Sequence, residues 1–523
     1  MTRSFRAAVL FALFASMIFP QVARSAPELG INLAGPNDWN TELPFVDVFR
    51  LSRVFSSQKT GAKWGEGAPL TFDASGWVTS IPPGCWAEAP MCSIEGGHFP
   101  AGEYTVTYDG RGVVEFWGGA ARVVSSEPGR MRIDVDPRRG VFHIRIRETD
   151  PSDYVRNIRV VMPGFADSVA ENPWHPTFLS RWKGVKCIRF MDFMMTNGSK
   201  ISRWEERPTV EDATFTRCGV ALETMIDLCN RLRADPWFCI PHLADDDFVR
   251  RFAEVVKARL DPGLRAYIEY SNEVWNSGFP QHRYAAARGA ELGLTSKPGE
   301  AVWVFTAWRS VQIFRIFEET FGGRDRFVRV LPAQSGNLYM TRTLLDFQGA
   351  SKQADVLAIA PYFGMSVPQQ PNKWSPIPAA EVAAWGVDRL FNHLETVVVP
   401  EVNIRMQEAA KLAGQRGLTL VAYEGGQHLV GIQGGENDKA LNALFRTANL
   451  DPRMGELYSE NLRGWESAGG ALFCHFSSVA RWSKSGFWGL LQSYDEDPAS
   501  SPKLQALLKW AQLPESRDSP VHD

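Results

Sequence analysis

The 523-residue chain has no excess of either charge sign, since 56 Lys plus Arg face 59 Asp plus Glu. With no basic surplus and no polybasic tail, the main electrostatic basis for sequence-independent nucleic-acid binding is missing. Cysteine is scarce, seven residues in all, and none shows zinc-ribbon spacing or a following histidine cluster. There is no Gly-x-Ser-x-Gly elbow, no His-Glu-x-x-His, no Gly-x-x-x-x-Gly-Lys and no Gly-x-Gly-x-x-Gly after a strand. Serine-hydrolase, zincin and nucleotide chemistry therefore find no footing, and no cofactor or metal is implied. Internal repeats and low-complexity tracts are absent too, apart from a polar tail at residues 514–523 that is expected to be flexible.

What is present is globular composition, 44% hydrophobic, 22% charged and 12% aromatic, with ample material for a large core. The opening Met-Thr-Arg-Ser-Phe-Arg is followed by an apolar run from Ala7 to Phe19, with the small residues Ala23 and Ser25 placed for cleavage after Ser25. Spanning a bilayer takes about 20 apolar residues, so this run reads as a signal peptide over residues 1–25. Its removal leaves 53 basic against 59 acidic residues. No later stretch is long and apolar enough to span a membrane, so the expectation is an exported protein, periplasmic or secreted, with no membrane association after cleavage. An odd number of cysteines leaves at least one unpaired. Cys85 and Cys92 flank a Pro-containing loop and allow a local disulfide, whereas Cys229 and Cys239 read as buried free thiols.

From Leu29 onward, short apolar runs alternate with amphipathic stretches, the pattern of parallel strands joined by helices. Eight strands are predicted at Leu29–Leu33, Val185–Met191, Trp237–Pro241, Ala266–Tyr270, Phe327–Pro332, Val356–Ala360, Leu418–Tyr423 and Ala471–Phe476. Helical patterns include Val220–Leu232, Asp247–Arg259, Ala301–Phe321 and Asn403–Leu412. Eight such units predict an α/β fold, the closed (β/α)8 TIM barrel. The gap between the first two strands is far longer than the rest. Residues 61–169 hold 15 of the 44 glycines and alternate apolar with polar residues in segments such as Glu103–Tyr108, Gly112–Trp117, Met131–Val135, Val141–Ile146 and Asn157–Val161. A β-rich, sandwich-like insertion after the first strand is expected there, between a first barrel part at 26–60 and the remainder at 170–513. A loop after strand one emerges at the C-terminal face of a barrel, so the insertion is expected to border the cleft.

Two strand ends carry the chemistry. Ala266-Tyr-Ile-Glu-Tyr-Ser-Asn-Glu-Val-Trp-Asn276 runs from an apolar strand into Asn272 and Glu273. Leu418-Thr-Leu-Val-Ala-Tyr-Glu-Gly-Gly-Gln427 ends at Glu424, beside two glycines. Glutamates at the ends of strands four and seven lie across a barrel mouth, where they can flank one scissile bond. The run Asp245-Asp246-Asp247 opens a predicted helix and is read as a cap that complements the helix dipole.

Asn272-Glu273 after strand four, with Glu424 after strand seven, resembles the signature of the clan A retaining glycoside hydrolases, which include many cellulases, mannanases and xylanases. The resemblance covers roughly 29–60 and 172–510. It is strong at strands four and seven and does not reach the insertion. It implies Glu273 as acid/base, Glu424 as nucleophile and Asn272 as a ligand of the sugar 2-hydroxyl. It further suggests Arg189, at the end of strand two, as the cation that holds the nucleophile ionised, and Tyr362 as its hydrogen-bond partner. Retention requires carboxyls about 5 to 5.5 Å apart, one protonated and one ionised. An adjacent cation lowers a carboxyl pKa, which suits the attacking group.

His242, ending strand three, is a weaker candidate for the same cleft. Sugar sites also need flat aromatic faces, and the 18 tryptophans supply candidates in Trp39 after strand one, Trp275 after the acid/base segment, and Trp482 and Trp488 after strand eight. Of these, Trp488 is the expected platform at the reacting sugar. The implied activity is double-displacement cleavage of a β-glycosidic bond in a polysaccharide or oligosaccharide, with a β-glucan as the default substrate. Two alternatives stand beside it, a non-catalytic carbohydrate-binding surface protein and a transglycosylase that remodels a glycan.

Overall fold

The computed structural model describes residues 28–373 and 375–514. The segment 1–25, predicted as a signal peptide, and nearly all of the polar tail lie outside the described residues. Eight parallel strands close into a barrel: strand one Leu29–Asn32, two Cys187–Arg189, three Asp235–Ile240, four Ala266–Tyr270, five Phe327–Pro332, six Val356–Ile359, seven Thr419–Ala422 and eight Phe473–His475. All eight coincide with a predicted apolar run. Strand one pairs with strand two on one side and with strand eight on the other, which closes the ring. The fold is a (β/α)8 TIM barrel.

The helices follow from their sequence spacing. Leu222–Leu232 buries Leu222, Met225, Ile226, Leu228, Cys229 and Leu232, one face at helical period, and ends on Arg233 in the left-handed region. Asp245 caps Asp246–Arg259 by accepting from the backbone N–H of Phe248 at 2.7 Å, the capping role expected of the acidic run. The long helix Ala301–Phe321 stops at Gly322, which is left-handed at φ +76°. No helix among the described residues is long and apolar enough to cross a membrane.

Inside the barrel, Cys187, Trp237, Cys239, Tyr267, Val328, Val330, Val421 and Cys474 pack one core, while a larger one lies between strands and helices. Gly30 on strand one is a point of close approach. A Cβ there would stand 2.4 Å from Cys474 Sγ and 3.3 Å from Cys187 Cβ, so only glycine lets strands two and eight both turn a thiol inward past strand one.

The long first connection carries two four-stranded antiparallel sheets with a core of their own. One sheet runs in the order Ser56–Lys59, Cys85–Met91, Phe142–Thr149, Gly112–Gly118; the other Arg156–Val161, Gly102–Asp109, Arg130–Val135, Ala121–Glu127. The edge strand Ser56–Lys59 is part of the sandwich, so the β-rich region begins before residue 61. The Cys85–Cys92 disulfide is not formed, and all seven cysteines are free thiols. The residues between this pair form an extended strand rather than a loop. At about 3.3 Å per residue, such a strand holds its ends far beyond the 4.4 to 6.8 Å that a disulfide spans. Cys229 and Cys239 are buried free thiols.

The sandwich sits on loops that follow barrel strands. Ser93 N donates to Asp38 O after strand one, Ala213 N after strand two donates to Ser75 O, and Glu95 and His98 pair with Arg481 and Asp495 after strand eight. It therefore stands at the C-terminal face, as a loop after strand one should. A further parallel pair, Phe363–Pro368 with Gln427–Ile432, extends the chain beyond strands six and seven at the same end.

Candidate active site

Arg189 leaves the end of strand two fully buried and organises what surrounds it. Its Nη1 donates to Glu424 Oε1 at 2.7 Å and to Asn32 Oδ1 at 3.1 Å. Its Nη2 donates to Glu269 Oε2 at 2.8 Å and to Asn272 Oδ1 at 2.8 Å. One guanidinium thus ties strands one, two, four and seven together and is shared between the side chains of Glu269 and Glu424. A buried charge is tolerable only when paired and hydrogen-bonded in this way.

Glu424 also accepts from Tyr362 Oη at 2.9 Å. The two following glycines let the chain leave strand seven closely packed. A Cβ on Gly425 would stand 2.4 Å from the Phe473 ring, and one on Gly426, at φ +126°, 2.6 Å from His475 Nε2. Glu273 accepts from Tyr423 Oη at 3.2 Å and from Asn276 Nδ2 at 3.0 Å. Its segment is held against backbone preference, because Ser271 and Glu273 are both left-handed, at φ +58° and +41°. Such positions cost about 1 to 3 kcal/mol each and persist only where the surroundings enforce them. Gln281 supplies part of that enforcement, bonding Asn272 O at 2.9 Å and Asn197 Oδ1 at 2.7 Å, while Asn272 Nδ2 donates to the same Asn197 oxygen at 3.1 Å.

The electrostatics divide the two glutamates. Burial, then the nearby charge of Glu424, pushes the Glu273 carboxyl up to about 7, against the hydrogen bonds of Asn276 and Tyr423. Burial also raises Glu424, but there the charge of Arg189 and the bonds from Tyr362 and Arg189 oppose it. Glu424 faces a cation at 2.7 Å, whereas the donors to Glu273 are neutral, so a proton shared by the pair rests on Glu273. Burial and both carboxylate charges hold the Tyr362 phenol well above its usual range, so it remains a donor.

Tyr362, Arg189 and Asn272 therefore gather around the two glutamates, and so does Trp488, whose ring lies 6.0 Å from that of Tyr362. Trp39 is 56% exposed and lines a cavity of about 600 Å³ with Arg53, Asp192, Asn197 and Lys200. Asn197 joins this cavity to the glutamate cluster through Asn272. Three further candidates pack into or against the core. Trp275 packs against the barrel core with its indole N–H buried and unpartnered. His242 is buried with its ring 5.4 Å from that of Tyr284, and burial lowers it to about 4. Trp482 is likewise a core residue, donating to Gly489 O at 2.9 Å.

Several members of the site were not anticipated. Glu269 lies within strand four, fully buried, and its only sequence signal is a lone charge in the run Ala-Tyr-Ile-Glu-Tyr. His428, on the strand beyond Glu424, stands 4.9 Å from Trp488 and 5.4 Å from Tyr362, ring to ring. Asp192, half-buried after strand two, is raised to about 7 by burial and then by the charge of Glu424.

A closed parallel barrel with two unlike carboxyls at its C-terminal mouth defines a class of enzyme-like scaffold. No family model matches the chain, and no curated protein does. Among solved structures, a 4-O-α-L-rhamnosyl-β-D-glucuronidase from Fusarium oxysporum 12S is similar over 65% of this chain and 66% of its own, just under two thirds of that enzyme, at 11% identity and a TM-score of 0.38. A GH5 xyloglucanase from Bacteroides ovatus, solved with a XXXG heptasaccharide, is similar over 82% and 96% at 8% identity and 0.35. A GH10 protein from Paenibacillus barcinonensis is similar over 64% and 90% at 11% identity and 0.37.

Proposed function

We propose that the chain is an exported retaining glycoside hydrolase that cleaves β-glycosidic bonds of a polysaccharide or oligosaccharide, with a β-glucan as the first substrate to try. The carrying observation is the unlike pair at the ends of strands four and seven: Glu424 bonded to Arg189, and Glu273 bonded only to neutral donors. In this reading Glu424 attacks the anomeric carbon as a carboxylate while Glu273 passes its proton to the leaving oxygen. Glu273, now ionised, takes a proton from water, which displaces the sugar from Glu424 and restores both groups. Asn272 receives the sugar 2-hydroxyl, and Tyr362 and Arg189 hold Glu424 in place. Trp488 and Trp39 offer their rings to the substrate.

Incubating residues 26–523 with β-1,4-, β-1,3- and β-1,2-glucans, mannan and xylan tests this reading, with Glu273→Gln and Glu424→Ala in parallel. Release of sugar by the parent, loss of at least about a hundredfold in each variant, and a first product of retained anomeric configuration are the expected results. Full turnover by Glu424→Ala, or an inverted first product, overturns the assignment. Products carrying an added acceptor sugar would assign the same pair to transglycosylation.

A further inference from the structure

The insertion has an outward sheet face built unlike ordinary surface. On the strand Phe142–Thr149, His143 and Arg145 stand above Glu88 of the neighbouring strand, which is only 2% exposed. Glu88 accepts from His143 Nδ1 at 2.6 Å, from Arg145 Nε at 2.7 Å and from Trp86 Nε1 at 2.7 Å. One buried carboxylate therefore fixes three side chains from beneath. The Arg145 guanidinium lies 4.5 Å from the ring centre of Trp117, and that of Arg147 lies 4.6 Å from Trp86. Trp117 and Trp64 nonetheless remain 53% and 46% exposed, each with its ring 5.5 Å from that of His143.

We infer that this face is a second glycan site, separate from the barrel mouth, that takes a strand of uncharged polysaccharide. A tryptophan backed by a stacked cation is held flat and cannot turn its exposed side away, which suits the C–H face of a pyranose. Beside those rings the Arg147 side chain is 41% exposed and those of Arg145 and His143 16% and 12%, which leaves polar groups next to the aromatic faces for sugar hydroxyls. Charge decides between uncharged and acidic polymers. Arg145 is paired with Glu88, and Arg147 has Glu115 at 3.9 Å, so the two guanidiniums are matched by two carboxylates and the face carries little net field. A polyanion gains little there, whereas a hydroxyl-rich neutral chain loses nothing.

Affinity electrophoresis of residues 26–523 carrying Glu424→Gln tests the site, in gels containing soluble β-1,4-glucan, β-1,3-glucan, mannan or polygalacturonate. The expected result is retardation in at least one neutral gel, unchanged between low and high salt. Adding Trp117→Ala should weaken it roughly tenfold or more, while Trp117→Tyr keeps most of it. In the active background, Trp117→Ala should leave cleavage of a short oligosaccharide unaltered, so a loss at this face is distinct from a loss at the mouth. Equal retardation of parent and Trp117→Ala, no retardation in any neutral gel, or retardation by polygalacturonate alone with salt sensitivity each overturns the inference. Retardation does not require turnover, so the site stands or falls independently of the proposed hydrolysis.

Discussion

Glu273 and Glu424 are the same residue type, and what separates them is their surroundings. Both are drawn out of water, but one faces Arg189 and the other faces Tyr423 and Asn276, which are neutral. A group that must donate a proton works only while it holds one, so with Glu273 at about 7 activity should fall as pH rises through that value. The hydrogen bonds from Tyr423 and Asn276 favour the ionised form and pull its pKa down. Removing either one should therefore raise it. Tyr423→Phe and Asn276→Ala are expected to move the alkaline limb of kcat/KM upward by about half to one pH unit each. An unchanged or lowered limb, measured on any cleaved substrate, would mean that Glu273 is not the proton donor.

At the scale of elements, the barrel strands sit close together where the sequence permits it, and Gly30 is the sharpest instance. Gly30→Ala places a methyl against Cys474 Sγ inside a packed barrel and is expected to cost about 1 to 3 kcal/mol in chemical denaturation. Combining it with Cys474→Ala makes room, so the double variant should lose less than the two single losses added together. Strictly additive losses would mean that the contact carries no strain. The eight barrel strands were readable because each is an apolar run buried on both faces, the signal least diluted by context. The sandwich was read less completely. Cys85–Met91 contains Pro90, which argues against a strand, yet its neighbour Ser56–Lys59 begins opposite Glu88, so on that side the missing N–H of Pro90 has no partner to lose. Ala121–Glu127 is an edge strand exposed along most of its length and shows no alternation to find. The helix cap at Asp245 and the end of Ala301–Phe321 were local signals, and both were legible.

Across the whole molecule, what could not be read was which distant residues meet. Glu273, Glu424, Asn272, Arg189 and Tyr362 follow from strand ends and a known pattern, but Glu269, Asn32, Asn197 and Gln281 join them only through the closed barrel. Trp275, two residues beyond Glu273 in sequence, is half-buried and packs against the barrel core, a contact that its position in the chain does not reveal. Glu42 is another such meeting. Buried after strand one, it accepts from Trp182 Nε1 at 2.7 Å and from Ser478 Oγ at 2.6 Å, linking the first, second and last parts of the barrel. Burial lifts it to about 7, so its contribution to stability is fully present below its unfolded value of 4.5 and is lost as pH rises through 7. The buried imidazoles of His175, His242 and His428, lowered to about 4, act in the opposite sense, adding stability as pH climbs from 4 past 6.5. Glu42→Gln removes this titration from the folded and the unfolded chain alike and leaves the imidazoles in place. Relative to the parent, the variant's unfolding free energy should therefore climb steadily between pH 4.5 and 7 and level off above. A constant difference in denaturant midpoint across that window would show that Glu42 stays ionised in the fold, and that Arg181 rather than burial governs it.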